Sequence, residues 1–218
     1  MRRHWQSLSV TVLILVAALM HSCEDPIRFE VPQPEGTIEQ HVLPRKYHGR
    51  YRSLQDSSIL IISRGNIISF YRKDFKGKVS ELDSAERVLF SKDTTFTDEH
   101  GKATVKAQRK GDEITYQYEN RETIFSFARH DVLKKFRGYY FLNHETAPSH
   151  WTVTKLGFTK EGLVLGTLSS KDDLLRLREL TQQKSDTVYN FRPTSTQMKK
   201  FSRDKGFHNE ERFVKLKK

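Results

Sequence analysis

Between Glu113 and Glu119 the side chains alternate in character. Ile114, Tyr116 and Tyr118 fall on one face of an extended chain and Thr115, Gln117 and Glu119 on the other, the period-two pattern of a half-buried strand. Phe125 and Phe127 continue the alternation, and the link at Glu119 to Glu122 is short enough for a hairpin. Two other stretches repeat the theme. SILIISRGNIISFY sets Arg64-Gly65-Asn66 between two Ile-rich runs, and LGFTKEGLVLGTL sets Thr159-Lys160-Glu161-Gly162 between two apolar ones. Both are expected to form β-hairpins turned by a residue that tolerates positive φ.

Helical spacing is confined to two places. Asp172 to Leu180 carries Leu174, Leu175, Leu177 and Leu180, with Ser170 or Asp172 as cap. A second helix is expected after Pro193, capped by Thr194 or Ser195, with Met198 and Phe201 on one side and Gly206 as its stop. Glu211 to Lys217 then reads as a closing strand. The fold class expected is mainly β: antiparallel hairpins forming a curled sheet, sandwich or barrel, with two short helices. Fourteen Phe, eight Tyr and two Trp provide the buried area that such a body needs.

Tyr47-His48-Gly49-Arg50-Tyr51 and Phe136-Arg137-Gly138-Tyr139-Tyr140 share aromatic, Gly, aromatic at alternate positions, and each precedes a hairpin. Two related units, 45–130 and 131–218, would account for this. So would a general fitness of the pattern for opening strands.

The first 23 residues have a different organisation. Arg2 and Arg3 lead, Leu8 to Met20 is apolar apart from Ser9 and Thr11, and His21-Ser22 precede Cys23, the one cysteine. Charge, apolar run and small residue in that order predict a secretory signal peptide over 1–22. The run falls short of the roughly 20 residues needed to span the hydrocarbon core. The segment resembles a bacterial lipoprotein signal, with Met20 in the aliphatic position, Ser22 in the small one and His21 departing from the pattern. What the resemblance implies is a diacylglyceryl group on the Cys23 sulfur, cleavage before it and acylation of the new N-terminus. Without lipidation, cleavage near Ser22 would leave Cys23 as a free thiol.

Glu24 and Asp25 resemble the export signal of surface lipoproteins in Bacteroidota, whereas in enterobacteria an Asp directly after the lipidated Cys favours inner-membrane retention. FEVPQPEG, FRGYYFLN, RPTSTQMKKF and GFHNEERF are similar to stretches of Bacteroidota envelope lipoproteins, a resemblance that brings no activity with it. It implies an outer-membrane location, with the leaflet open. Pro26, Pro32, Pro34 and Pro44, with Gly36, predict a stiff stalk over 23–44 that holds the body, 45–218, off the lipid.

No GxSxG, HExxH, Walker loop, GxGxxG or CxxC occurs, so no motif ties a mechanism to a spacing. The densest chemistry is His130-Asp131, His144-Glu145 and His150. These residue types can hold a transition metal, but no pair has the i, i+2 or i, i+4 spacing that puts two ligands on one face. Asp93, Asp98 and Glu99 before Gly101 lack the alternating ligands of a calcium loop and read as a polar turn. Trp151, Tyr139, Tyr140 and Phe141 could line a sugar or peptide groove, although aromatics in a β-body more often form its core. No catalytic residue, metal or cofactor is assigned, and Cys23 is the one site residue.

The formal charge of +11 becomes +9 once Arg2 and Arg3 leave with the signal. Basic clusters stand at Arg45-Lys46, Lys134-Lys135-Arg137, Lys199-Lys200 and Lys215-Lys217-Lys218. Export separates the chain from nucleic acid, so anionic envelope lipid or polysaccharide is the expected polyanion. The function expected is a noncatalytic lipid-anchored envelope protein with a binding or structural β-domain. An envelope glycan hydrolase and a carrier of apolar molecules are the alternatives.

Overall fold

The computed structural model describes residues 27–82, 94–97, 101–183, 189–203 and 206–217. In chain order the strands are β1 (Arg28–Phe29), β2 (Glu39–Gln40), β3 (Gly49–Ser53), β4 (Ile59–Ile62), β5 (Asn66–Lys78), β6 (Thr94–Thr97) and β7 (Ala103–Lys110). They continue as β8 (Glu113–Ser126), β9 (Val132–Phe136), β10 (Tyr139–Ala147), β11 (His150–Phe158), β12 (Gly162–Thr167), β13 (Asn190–Phe191) and β14 (Asn209–Lys215). The helices are α1 (Lys171–Thr181) and α2 (Ser195–Arg203).

One sheet joins all these strands in the order β2-β9-β10-β11-β12-β14-β3-β4-β5-β8-β7-β6, with β1 branching from β11 and β13 pairing with β1. Every pairing is antiparallel except the short β1–β13 ladder. The expected mainly β fold with two short helices is what forms, as an open curled sheet and not a closed barrel. Two meanders, β9–β12 and β3–β5, are joined through the C-terminal β14, which pairs with β12 on one side and β3 on the other.

The inner face of the curl holds one core, with Tyr51, Leu60, Ile67, Phe125, Tyr140 and Leu156 among its members. Three aromatics of the two matching motifs meet there: Tyr47 stacks on Phe158 at 3.7 Å between centroids, and Tyr51 and Tyr140 lie against the same ring, whereas Phe136 packs on the other side of the sheet. Outside the sheet, α1 and α2 cover a second core of Phe29, Phe141, Leu177, Met198, Phe201 and Phe207. Tyr140 and Phe141 therefore serve opposite layers, as adjacent residues of a strand must.

Both helices start as expected. Ser170 Oγ accepts from Asp173 N–H at 3.0 Å, and Thr194 forms a capping box with Gln197. Beyond the end of α2, Gly206 N–H donates to the Phe201 carbonyl at 2.9 Å, and a Cβ on Gly206 would meet the Phe201 ring.

Three expectations are corrected. The Glu119–Glu122 link makes no hairpin, because β8 runs unbroken while Asn120, Arg121 and Glu122 pair with Tyr71, Phe70 and Ser69 of β5. Its alternation changes parity instead: Ile114 and Phe125 are both buried, and the ladder shifts register between Ile67 and Ile68, so that one extra residue turns the strand over. Phe127 has already left the sheet for a 3-10 turn.

The hairpin glycines do not need positive φ, since neither Gly65 nor Gly162 adopts it. Hydroxyls close those turns, Ser63 Oγ accepting from Asn66 N–H and Thr159 Oγ1 from Gly162 N–H. Gly162 is needed for proximity, because a Cβ there would run into the Phe213 carbonyl.

From Ile27 onward the expected stalk is part of the body. Phe29 and Leu43 are fully buried, and β1 and β2 pair with β11 and β9. Pro32 and Pro34 lie between the strands, where side chains hold the backbone: Lys134 Nζ donates to their carbonyls at 2.9 and 3.1 Å. Asn143 accepts from Gln33 N–H at 2.6 Å and donates to its carbonyl at 2.9 Å. Among the described residues no helix is long and apolar enough to cross a membrane.

Candidate ligand-binding site

The apolar filling of the curl stops partway along four neighbouring strands. On β10 the inward positions read Tyr140, Leu142, His144; on β11, Leu156, Thr154, Thr152; on β12, Leu163, Leu165, Thr167; on β14, Phe213, Glu211, Asn209. The register aligns these series, with Leu142 opposite Thr154, His144 opposite Thr152 and Thr167 opposite Asn209. Facing partners share a side of the sheet, so one end of the curl becomes a dry core and the other a polar cavity of about 840 Å³.

Leu142, Leu165 and Ile124 line it together with the threonines at 123, 152, 154 and 167. Its charged lining is mixed: Lys102, Arg121 and Arg129 on one hand, Glu122 and Glu211 on the other. Glu211 is held by the Ser53 hydroxyl. Such a lining offers donors and acceptors from several directions over a small apolar floor; it is more polar than most small-molecule pockets and suits a hydrogen-bonding ligand.

At the edge of this cavity sits a buried carboxylate. The Asp131 side chain has no exposure; Oδ1 lies 2.6 Å from His144 Nδ1, while Oδ2 accepts from Ser126 N–H at 2.6 Å and from the Arg129 guanidinium at 2.9 Å. One anion thus fixes two of the cavity's cationic or protonatable side chains. A histidine oriented in this manner could act as a base, but nucleophilic chemistry would also need a hydroxyl or thiol at its other nitrogen. Among the described residues His144 makes no such hydrogen bond.

The structure divides the five-residue constellation noted in the sequence. Asp131 and His144 meet; His130 supplies a left-handed backbone turn at φ 62°; Glu145 accepts from Ser149 N–H and His150 bonds the Pro148 carbonyl. Among the described residues no three His, Cys, Asp or Glu side chains converge. Cys23, Asp93, Asp98 and Glu99 lie outside the described residues. Tyr140 and Phe141 are core, Trp151 packs partly buried against the outer core, and Tyr139 is the exposed member at 43%.

A second Asp–His pair stands on the helical side. Asp173, fully buried, accepts from Phe207 N–H at 2.8 Å and lies 2.9 Å from His208 Nδ1, tying α1 to the start of β14. Its distance in sequence hid it. The threonines, Asn209 and Glu211 were also missed, although a signal exists: inward alternate positions turn from aliphatic to hydroxyl toward one end of several strands.

Compared with known protein families, curated proteins and solved structures, the chain has no match.

Proposed function

We propose that this protein is a lipid-anchored component of the bacterial outer membrane, tethered through acylated Cys23, whose curled sheet binds a polar small molecule without transforming it. The polar end of the curl carries the binding half of this reading. Threonine hydroxyls, Asn209 and charges of both signs favour a hydrogen-bonding ligand over the apolar cargo of a carrier, because burying those groups against hydrocarbon would leave them unsatisfied. The order of charge, apolar run and small residue before the lone cysteine supports the anchor half.

Two measurements test it. Cells fed labelled fatty acid should label the wild-type protein and not Cys23→Ala; an unlabelled wild type would remove the anchor. Native mass spectrometry of the protein isolated from its own envelope should release a polar, water-soluble molecule, lost in Thr154→Val/Thr167→Val. Release of fatty acid or phospholipid from the cavity would instead establish an apolar carrier, and turnover of the bound molecule an enzyme.

A further inference from the structure

On the opposite side of the sheet, two basic clusters far apart in sequence come together. Arg137, in the β9–β10 turn, and Lys199 and Arg203, one turn apart on α2, line a single groove of about 340 Å³ with Ser202. Phe136, Tyr139 and Phe141 form its walls, and among the described residues no acidic side chain lines it. Arg137 stands at φ 50° with its guanidinium over the Phe136 ring at 5.8 Å. Basic residues in the last turn of α2 complement the helix dipole, which accounts for Arg203 but not for Lys199 at mid-helix or for Arg137 arriving from another element. Nor does it account for Ser202, whose Oγ is buried without a hydrogen-bond partner. An orphan hydroxyl beside the Arg137 and Lys199 charges has the donor set that a tetrahedral oxyanion takes.

We propose that this groove binds a phosphate group, carried by a phospholipid headgroup or by a soluble phosphate ester. Geometry brings the headgroup within reach. Ile27 is already packed in the core that includes Phe141, so only residues 24–26 separate Cys23 from the body, a span of at most about 14 Å at ~3.5 Å per residue. A body so closely held cannot stand far from its membrane, and the helical side, where the chain enters, carries the groove. The groove itself depends neither on acylation nor on the polar cavity.

The test uses the full chain with Cys23→Ala in every sample, so that no acyl chain contributes and the leader is a constant. Binding to phosphatidylcholine vesicles containing phosphatidylglycerol is compared with binding to phosphatidylcholine alone. Arg137→Gln and Lys199→Gln should each lower the preference for anionic vesicles roughly five-fold. Ser202→Ala should lower it about two- to ten-fold with an unchanged circular dichroism spectrum and melting temperature, and Lys73→Gln on β5 should leave it unchanged. Competition by glycerol phosphate at constant ionic strength would identify the free ester as sufficient; binding that resists it would assign the headgroup in its bilayer. Equal losses from Lys73→Gln, or none from Arg137→Gln and Ser202→Ala, would overturn the site.

Discussion

Asp131 and His144 stand 2.6 Å apart at the edge of the polar cavity, and the carboxylate has no contact with solvent. It also holds Ser126 N–H and Arg129. Replacing it with Asn keeps the shape but removes the charge and turns one acceptor into a donor facing other donors. Asp131→Asn should therefore cost about 2–3 kcal/mol, read by urea denaturation. His144→Ala, which removes a partly exposed partner, should cost clearly less; an equal cost would mean that the imidazole, not the carboxylate, is the organiser.

The two hairpin glycines should respond in opposite ways. Gly162→Ala drives a Cβ into the Phe213 carbonyl, and separating β12 from β14 to relieve it should cost about 3 kcal/mol or more. Gly65 has ordinary φ, and a Cβ there would find its nearest neighbour, the Phe127 ring, at 3.7 Å. Gly65→Ala should be neutral or stabilise by up to about 1 kcal/mol. Thermal unfolding of the two variants decides it.

Residues 27–44 should behave as core, not as a leash. Phe29→Ala empties a fully buried position and should cost about 3–5 kcal/mol. Asn143→Leu should be similarly harmful, because Gln33 N–H and carbonyl would lose their partner in a buried site. Limited proteolysis should then cut within 27–44 in both variants and not in the wild type.

Alkaline pH should weaken the fold through its tyrosines. Burial pushes the Tyr51 and Tyr140 hydroxyls above the ordinary value of 10.0, and neighbouring Tyr47 adds to it. The unfolded chain then loses these protons at lower pH than the folded one. Their contribution is fully present below about pH 10 and lost as pH rises through the folded values. Tyr51→Phe should flatten that alkaline decline, while costing about 1 kcal/mol at neutral pH for the lost hydrogen bond to the Tyr47 carbonyl. A denaturation series from pH 8 to 11, on the order of the window set by these shifts, would show it.

What could be read from the chain alone follows from local physics. Alternation at 114–118 specified a strand, Ser170 and Thr194-Gln197 specified helix starts, and Ile-rich runs around a short polar link specified a hairpin, because each depends on residues a few positions apart. The order of charge and apolar run over residues 1–22, from which a leader is proposed, is equally local. Tertiary structure decided everything that required distant partners. Whether the Pro32-Gln33-Pro34 stretch stood free depended on Asn143 and Lys134, 100 to 110 positions away. The polarity gradient that makes a cavity exists only once β10, β11, β12 and β14 are in register, and the phosphate groove only once the β9–β10 turn meets α2. Side-chain periodicity fixes which face a residue takes, but the free energy that chooses its neighbours comes from burial summed across the whole sheet.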